Sequence, residues 1–137
     1  MKNKILNTLP LNTDVAALLL RLIFGGLFFY HGYDSLAHYK LYLSYSKDII
    51  GLPARLAFDL AVYTQFFCGI FIAIGFLTRI VVLPIAFAMS VAVLVVHAKD
   101  PFQVKELALL YLLLTTVVFV LGSGKYSLDY LLFRKKL

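Results

Sequence analysis

Four stretches of this chain run almost free of charge, and short polar segments rich in Gly, Pro, Lys and Asp separate them. The first, residues 15–37, follows Thr13 and Asp14. Those two are the predicted N-cap residues, because short oxygen-bearing side chains and acids suit a helix start. About 22 residues in a helix rise about 33 Å, enough to cross the hydrocarbon core of a bilayer. The second stretch, residues 54–78, begins after Gly51 and Pro53 and is closed by Arg79. The third, residues 80–98, follows with almost no loop, so the two should form a tight hairpin, with Pro84 in a first turn where its missing N–H is harmless. Lys99, Asp100 and Pro101 make the next turn, and Gly122, Ser123 and Gly124 stop the fourth stretch, residues 106–121. Between the first two, residues 39–50 are of mixed polarity, with Tyr39, Tyr42 and Tyr45 three apart, as expected of a helical segment lying at a membrane interface. The tail, residues 126–137, ends in Arg134, Lys135 and Lys136, which are expected to touch lipid headgroups from a short surface helix. The pattern predicts an all-α integral membrane four-helix bundle, a single domain over 1–137 with short loops.

Composition strengthens this reading. Of 137 residues, 62% are hydrophobic and 15% charged, against about 25% charged in an average soluble domain. The bilayer is therefore the first partner of the chain. The net charge of +6 comes from basic residues scattered between the apolar stretches, so it bears on topology and anionic lipid, and no nucleic-acid partner is expected. Four spans put both termini on one side. That side holds Lys2, Lys4, Arg79, Lys125, Arg134, Lys135 and Lys136; the other holds Lys40, Lys47, Arg55, Lys99 and Lys105. The excess favours cytoplasmic N- and C-termini in a multi-pass protein of the cell inner membrane. The first apolar run is too long for a signal-peptide core and is read as a retained helix. Cys68 is the single cysteine, so the chain has no internal disulfide and no dithiol pair, and Cys68 is read as a packing residue.

Polar residues inside spans are the informative ones, since a charge near the bilayer centre costs about 2.5–3.5 kcal/mol on insertion scales. His31, Asp34, Gln65, His97 and Glu106 come from four helices, and the topology places them at one depth, near the ends away from the termini. His31, Asp34 and His38 share one helix face by spacing. His97 and Glu106 flank a short turn, and Glu106 is expected in the first turn of its helix, where a carboxylate is favoured. These residues form a candidate ligand-binding cluster, in which His31, His97 and Glu106 would make one connected network. The alternative is that they meet headgroups and water, or bond between helices for stability alone. Ala61, Gln65, Gly69 and Ala73 form a mostly small ridge that allows close helix approach. Arg21 lies deep enough to require an interior partner, whereas Arg79 can snorkel. No Gly-rich phosphate loop and no CxxC occur, and the three histidines lie near one surface, unlike haem ligands deep in a bundle. The His-x-x-Glu spacing of bundle metal sites is absent, so no metal ligands are assigned.

The opening LLLRLIFGGLFFYHGYDSL, with Arg21, Gly25, His31 and Gly32, the middle CGIFIAIGFLTR, and the closing GSGKYSLD over 122–129 together resemble the DoxX family of small bacterial membrane proteins, over nearly the whole chain. The resemblance implies a four-helix membrane protein. The related DoxD group is similar to subunits of a thiosulfate:quinone oxidoreductase, and some members are linked to oxidative-stress complexes. Where Gln65 stands, the family often has a glutamate; if that acid serves proton transfer in the family, this chain lacks the ability there. Two functions follow. One is a subunit of, or accessory to, a quinone-linked redox or oxidative-stress membrane complex, with quinone held by the polar cluster, His97 and Glu106 as proton carriers, and membrane redox proteins as partners. The other is a non-catalytic scaffold or docking partner whose cluster is purely structural. A solute carrier is disfavoured by the lack of an inverted repeat or broken helix.

Overall fold

A computed structural model of the chain describes residues 10–134. Lys2, Lys4, Lys135 and Lys136 lie outside the described residues, and so do the expectations placed on them. The elements are α1 (Thr13–Ala37), α2 (Tyr39–Tyr45), α3 (Ala54–Ile74), α4 (Thr78–Val96), α5 (Phe102–Leu121) and α6 (Leu128–Phe133). Four of them, α1, α3, α4 and α5, are long and apolar enough to cross a membrane. Their outer surfaces are apolar, with Phe87 at 66% and Val120 at 73% exposure. Such surface is stable only against lipid.

Helix ends depart from the apolar runs where local hydrogen bonds decide them. The cap of α1 is Asn12, whose Oδ1 accepts from the amides of Asp14 and Val15 at 3.0 and 3.1 Å. Asp14 is thereby freed for another role. Helix α3 stops at Ile74 because Gly75 is left-handed (φ +72°), and the amides of Gly75 and Phe76 turn back to Ile72 and Phe71. This reciprocal closure satisfies the last carbonyls. Thr78 therefore begins α4 rather than ending α3. Pro84 in turn lies inside α4, beyond its first turn, and the carbonyl of Ile80 loses its usual helical donor. Likewise α5 starts at Phe102, with no acid in its first turn, so Glu106 is too far along to meet the helix dipole as expected.

Helices α1 and α3 cross almost backbone to backbone. A Cβ on Gly69 would lie 2.5 Å from the amide nitrogen of Phe29, and one on Gly25 would lie 2.6 Å from that of Ala73. A Cβ on Gly32 would lie 2.5 Å from the amide nitrogen of Phe66. The small ridge read on α3 meets a second small ridge on α1 at this crossing. Phe24, Phe28, Ile72, Val82, Ile85 and Val118 fill the core around it.

A π turn interrupts α3 at Thr64–Cys68, and another forms the end of α4 at Ala92–Val96. The start of α1, the α3–α4 turn and α6 gather at one end of the bundle, called here the terminal face; α2 and the α4–α5 turn mark the distal face. Helix α2 is tied down by two phenols: Tyr39 donates to Asp59, and Tyr42 donates to Asp34 at 2.8 Å. Each bond holds the neutral phenol and raises that tyrosine's pKa above its ordinary value. Tyr45 is exposed.

Candidate functional site

The densest polar construction is at the terminal face. Arg21 is 1% exposed, although it stands within a span. Its Nη2 donates to the carbonyl of Tyr126, while Nε and Nη1 are buried with no partner among the described residues. Asp129 forms no ion pair with this guanidinium and bears on it only through space. Gly75 has no side chain because the guanidinium of Arg21 and the Cβ of Ser127 occupy the space that its Cβ would need.

The segment 122–129 is shaped to deliver these groups. Gly122 and Gly124 are left-handed (φ +72° and +69°), so the chain can leave α5 and turn at once towards α1. The Ser127 hydroxyl donates to the carbonyl of Gly124 at 2.6 Å and accepts the Tyr130 amide at 3.1 Å, which caps α6. Asp129 then serves the start of α4, accepting the amides of Leu77 and Thr78 at 2.6 and 3.1 Å, while its own amide donates to the carbonyl of Gly75. A carboxylate at this helix start meets both free N–H groups and the positive end of the dipole. It also holds Leu77 in the left-handed conformation (φ +47°), which a branched residue adopts only under constraint. Asp14 completes the brace by accepting the Lys125 amide at 3.1 Å and pairing with its Nζ at 3.3 Å.

Beside this brace lies an open cavity of about 650 Å³. Arg79, Lys125 and Arg134 supply positive charge to its walls, Asp14 and Asp129 supply negative charge, and Ile80, Leu121 and Phe133 supply apolar surface. Thr78, 1% exposed, also lines it, and its Oγ1 has no partner among the described residues.

The residues singled out at the distal face are distributed differently. His97 Nδ1 pairs with Asp100 at 2.8 Å, within its own turn, instead of with Glu106. Glu106 is exposed. Asp34 is engaged by Tyr42 and by His38 at 3.1 Å. Gln65 lies in the π turn of α3, whose backbone passes against Gly32. His31 is half-buried, and its ring stands edge-on to that of Tyr111, with centroids 5.8 Å apart and planes at 87°. Tyr111 is 5% exposed and packs in turn on Phe24 and Phe28. Among the described residues no hydrogen bond or ion pair links His31, His97 and Glu106, and none engages the side chain of His31 or Gln65.

Arg21 was legible from its depth alone. Thr78, Ser127 and Asp129 were not singled out as site residues. Their signal was present in the GFLTR and GSGKYSLD segments, which carry an unpaired acid and a glycine-rich turn towards the end that holds a buried arginine.

A sequence model of the DoxX family matches residues 16–98. A protein of Bacillus subtilis (strain 168) named "Putative oxidoreductase CatD" is 32% identical over 124 residues, which cover 90% of this chain and 91% of that protein. No solved structure matches the chain significantly.

Proposed function

Given that the chain belongs to the DoxX family of multi-pass membrane proteins, we propose that it is a subunit of, or accessory to, a quinone-linked redox complex of the membrane, and that it holds the quinone headgroup in the distal half of the bundle. The observation that carries this reading is the His31–Tyr111 contact within an aromatic core, beside the π turn of α3. Single π turns occur often at functional sites because they re-aim side chains and loosen the backbone ladder. A quinone ring is flat and apolar, with a carbonyl at either edge. The half-buried His31 and Gln65, at the edge of that aromatic core, carry an imidazole and an amide that nothing in the described bundle uses. The name of the Bacillus relative agrees with redox chemistry.

Bound quinone would accept two electrons and two protons. With a single cysteine and no dithiol pair in the chain, the electrons are assigned to a partner redox protein. His97, held by Asp100, and the exposed Glu106 stand at the distal end of α4 and on α5, and the proposal makes them the proton carriers between water and the quinone.

The test is quantitative extraction of quinone from protein purified out of native membranes in mild detergent. Wild type should retain quinone, and His31→Ala should retain about fivefold to tenfold less at equal yield, the effect of one hydrogen bond with a ring contact. Wild type free of quinone but bound to a stable protein partner would establish the scaffold reading instead. The rigid terminal brace is what favours that second reading.

The same proposal places both termini in the cytoplasm of an inner-membrane protein, on the strength of the basic excess. In a Cys68→Ser background, Ser46→Cys should react with a membrane-impermeant thiol reagent in intact cells, while a cysteine added at the C-terminus should stay protected. The opposite labelling would invert the orientation.

A further inference from the structure

The terminal-face cavity is a second site, separate from the quinone reading, and we infer that it binds the phosphate of an anionic phospholipid headgroup. Three cationic side chains line it against two carboxylates. Both carboxylates are already committed. Asp14 is held by the amide and Nζ of Lys125, and Asp129 by the amides of Leu77 and Thr78. Arg79 and Arg134 form no ion pair among the described residues. The guanidinium of Arg134 is parked 5.0 Å over the ring of Tyr130, which fixes its position and leaves its N–H groups free at the edges.

Arg79 is the most informative of the three. It sits in the first turn of α4, where the dipole disfavours a cation. Its guanidinium lies beside Gly122; a Cβ on that glycine would come 3.4 Å from Nη2. A cation kept at the wrong end of a helix, on a cavity wall that also includes the buried Thr78 with its unpartnered Oγ1, is the arrangement that an incoming anion would neutralise. Phosphate oxygens suit it, because guanidinium groups present paired donors in a plane and Thr78 Oγ1 can add another.

A free phosphate offers the same oxygens. Two features select the lipid. The cavity opens at the end of the membrane spans, where headgroups lie. Its walls also include Ile80, Leu121 and Phe133, and Ile80 and Phe133 are exposed large apolar side chains, suited to the glycerol and first acyl carbons. Basic pockets between transmembrane helices take lipid headgroups in this way.

The test uses the full chain in mild detergent and two readouts. In native mass spectrometry, wild type should retain phosphatidylglycerol about tenfold better than phosphatidylcholine. The Arg79→Gln/Arg134→Gln variant should lose that preference, and Arg79→Lys should keep most of it. In thermal unfolding, phosphatidylglycerol should raise the wild-type midpoint, while phosphatidylcholine and inorganic phosphate at equal concentration should not. Both arginines are exposed, so the double variant is expected to fold; should it fail to, Arg134→Gln alone must weaken the preference. An undiminished preference in a folded variant overturns the site. Stabilisation by inorganic phosphate alone assigns it to a soluble anion, and capture of an acidic protein with no lipid preference assigns it to docking; either result overturns the lipid.

Discussion

Asp129→Ala is expected to destabilise the protein by about 1–3 kcal/mol, the range for removing a helix cap and leaving its amides without an acceptor. Two losses combine. The amides of Leu77 and Thr78 lose their acceptor at the start of α4, and Arg21, which forms no ion pair with Asp129, loses a more distant compensating charge. Asp129→Asn keeps an acceptor for one amide and should recover part of the cap but not the charge. Replacing Arg21 as well, as Arg21→Leu/Asp129→Ala, should cost less than the sum of the single changes, because removing both charges leaves neither uncompensated. Reversible unfolding in mixed micelles would measure the cycle. A cost below about 1 kcal/mol for Asp129→Ala, or strict additivity with Arg21→Leu, would show that the terminal brace contributes little.

Gly69→Leu is expected to prevent assembly of the native bundle, with a loss of more than about 3 kcal/mol, at or beyond the upper end for overpacked cores. The obstacle is backbone, not a side chain that can swing away: the first added carbon would already lie 2.5 Å from Phe29 N and 2.7 Å from Phe29 Cα. Helices α1 and α3 would have to separate, and without a hydrophobic drive between helices in lipid, close packing is what holds such a pair. Gly26→Leu is the matched control, since nothing lies within 4 Å of a Cβ there and the side chain would enter lipid. Size-exclusion profiles of the two variants in detergent should diverge, Gly26→Leu running like wild type and Gly69→Leu aggregating. Identical monodisperse profiles would mean that the crossing tolerates a wider separation.

Spans are legible in the sequence because a bilayer imposes one criterion, an apolar run of sufficient length, and the chain meets it at four places. Helix ends are less legible, because hydrogen bonds set them. Asn12 captures two amides and starts α1 before the apolar run begins, and Gly75 ends α3 while the apolar run continues. The sequence orders His31, Gln65, His97 and Glu106 along their helices, but position along a helix does not specify azimuth or the nearest partner. His97 finds Asp100 three residues away, which needs no approach between helices. Asp129 illustrates the opposite case. Its partners lie more than fifty residues earlier in the chain, at a distance where no helical period or spacing relates the two. Arg21 and Tyr126, 105 positions apart, share that difficulty. A buried cation announces that a partner exists, and only the folded chain says which one.

Leu77 has a consequence for how the protein is made. The α3–α4 turn depends on a side chain that the ribosome adds 52 residues later. Until that residue emerges and returns to the membrane surface, the hairpin is inserted but unlocked, with two amides and a left-handed leucine awaiting their acceptor. The closure of this turn therefore requires a residue that lies beyond the last span in the chain. A chain that stops at Leu121 would contain all four spans yet lack the acceptor that fastens this turn.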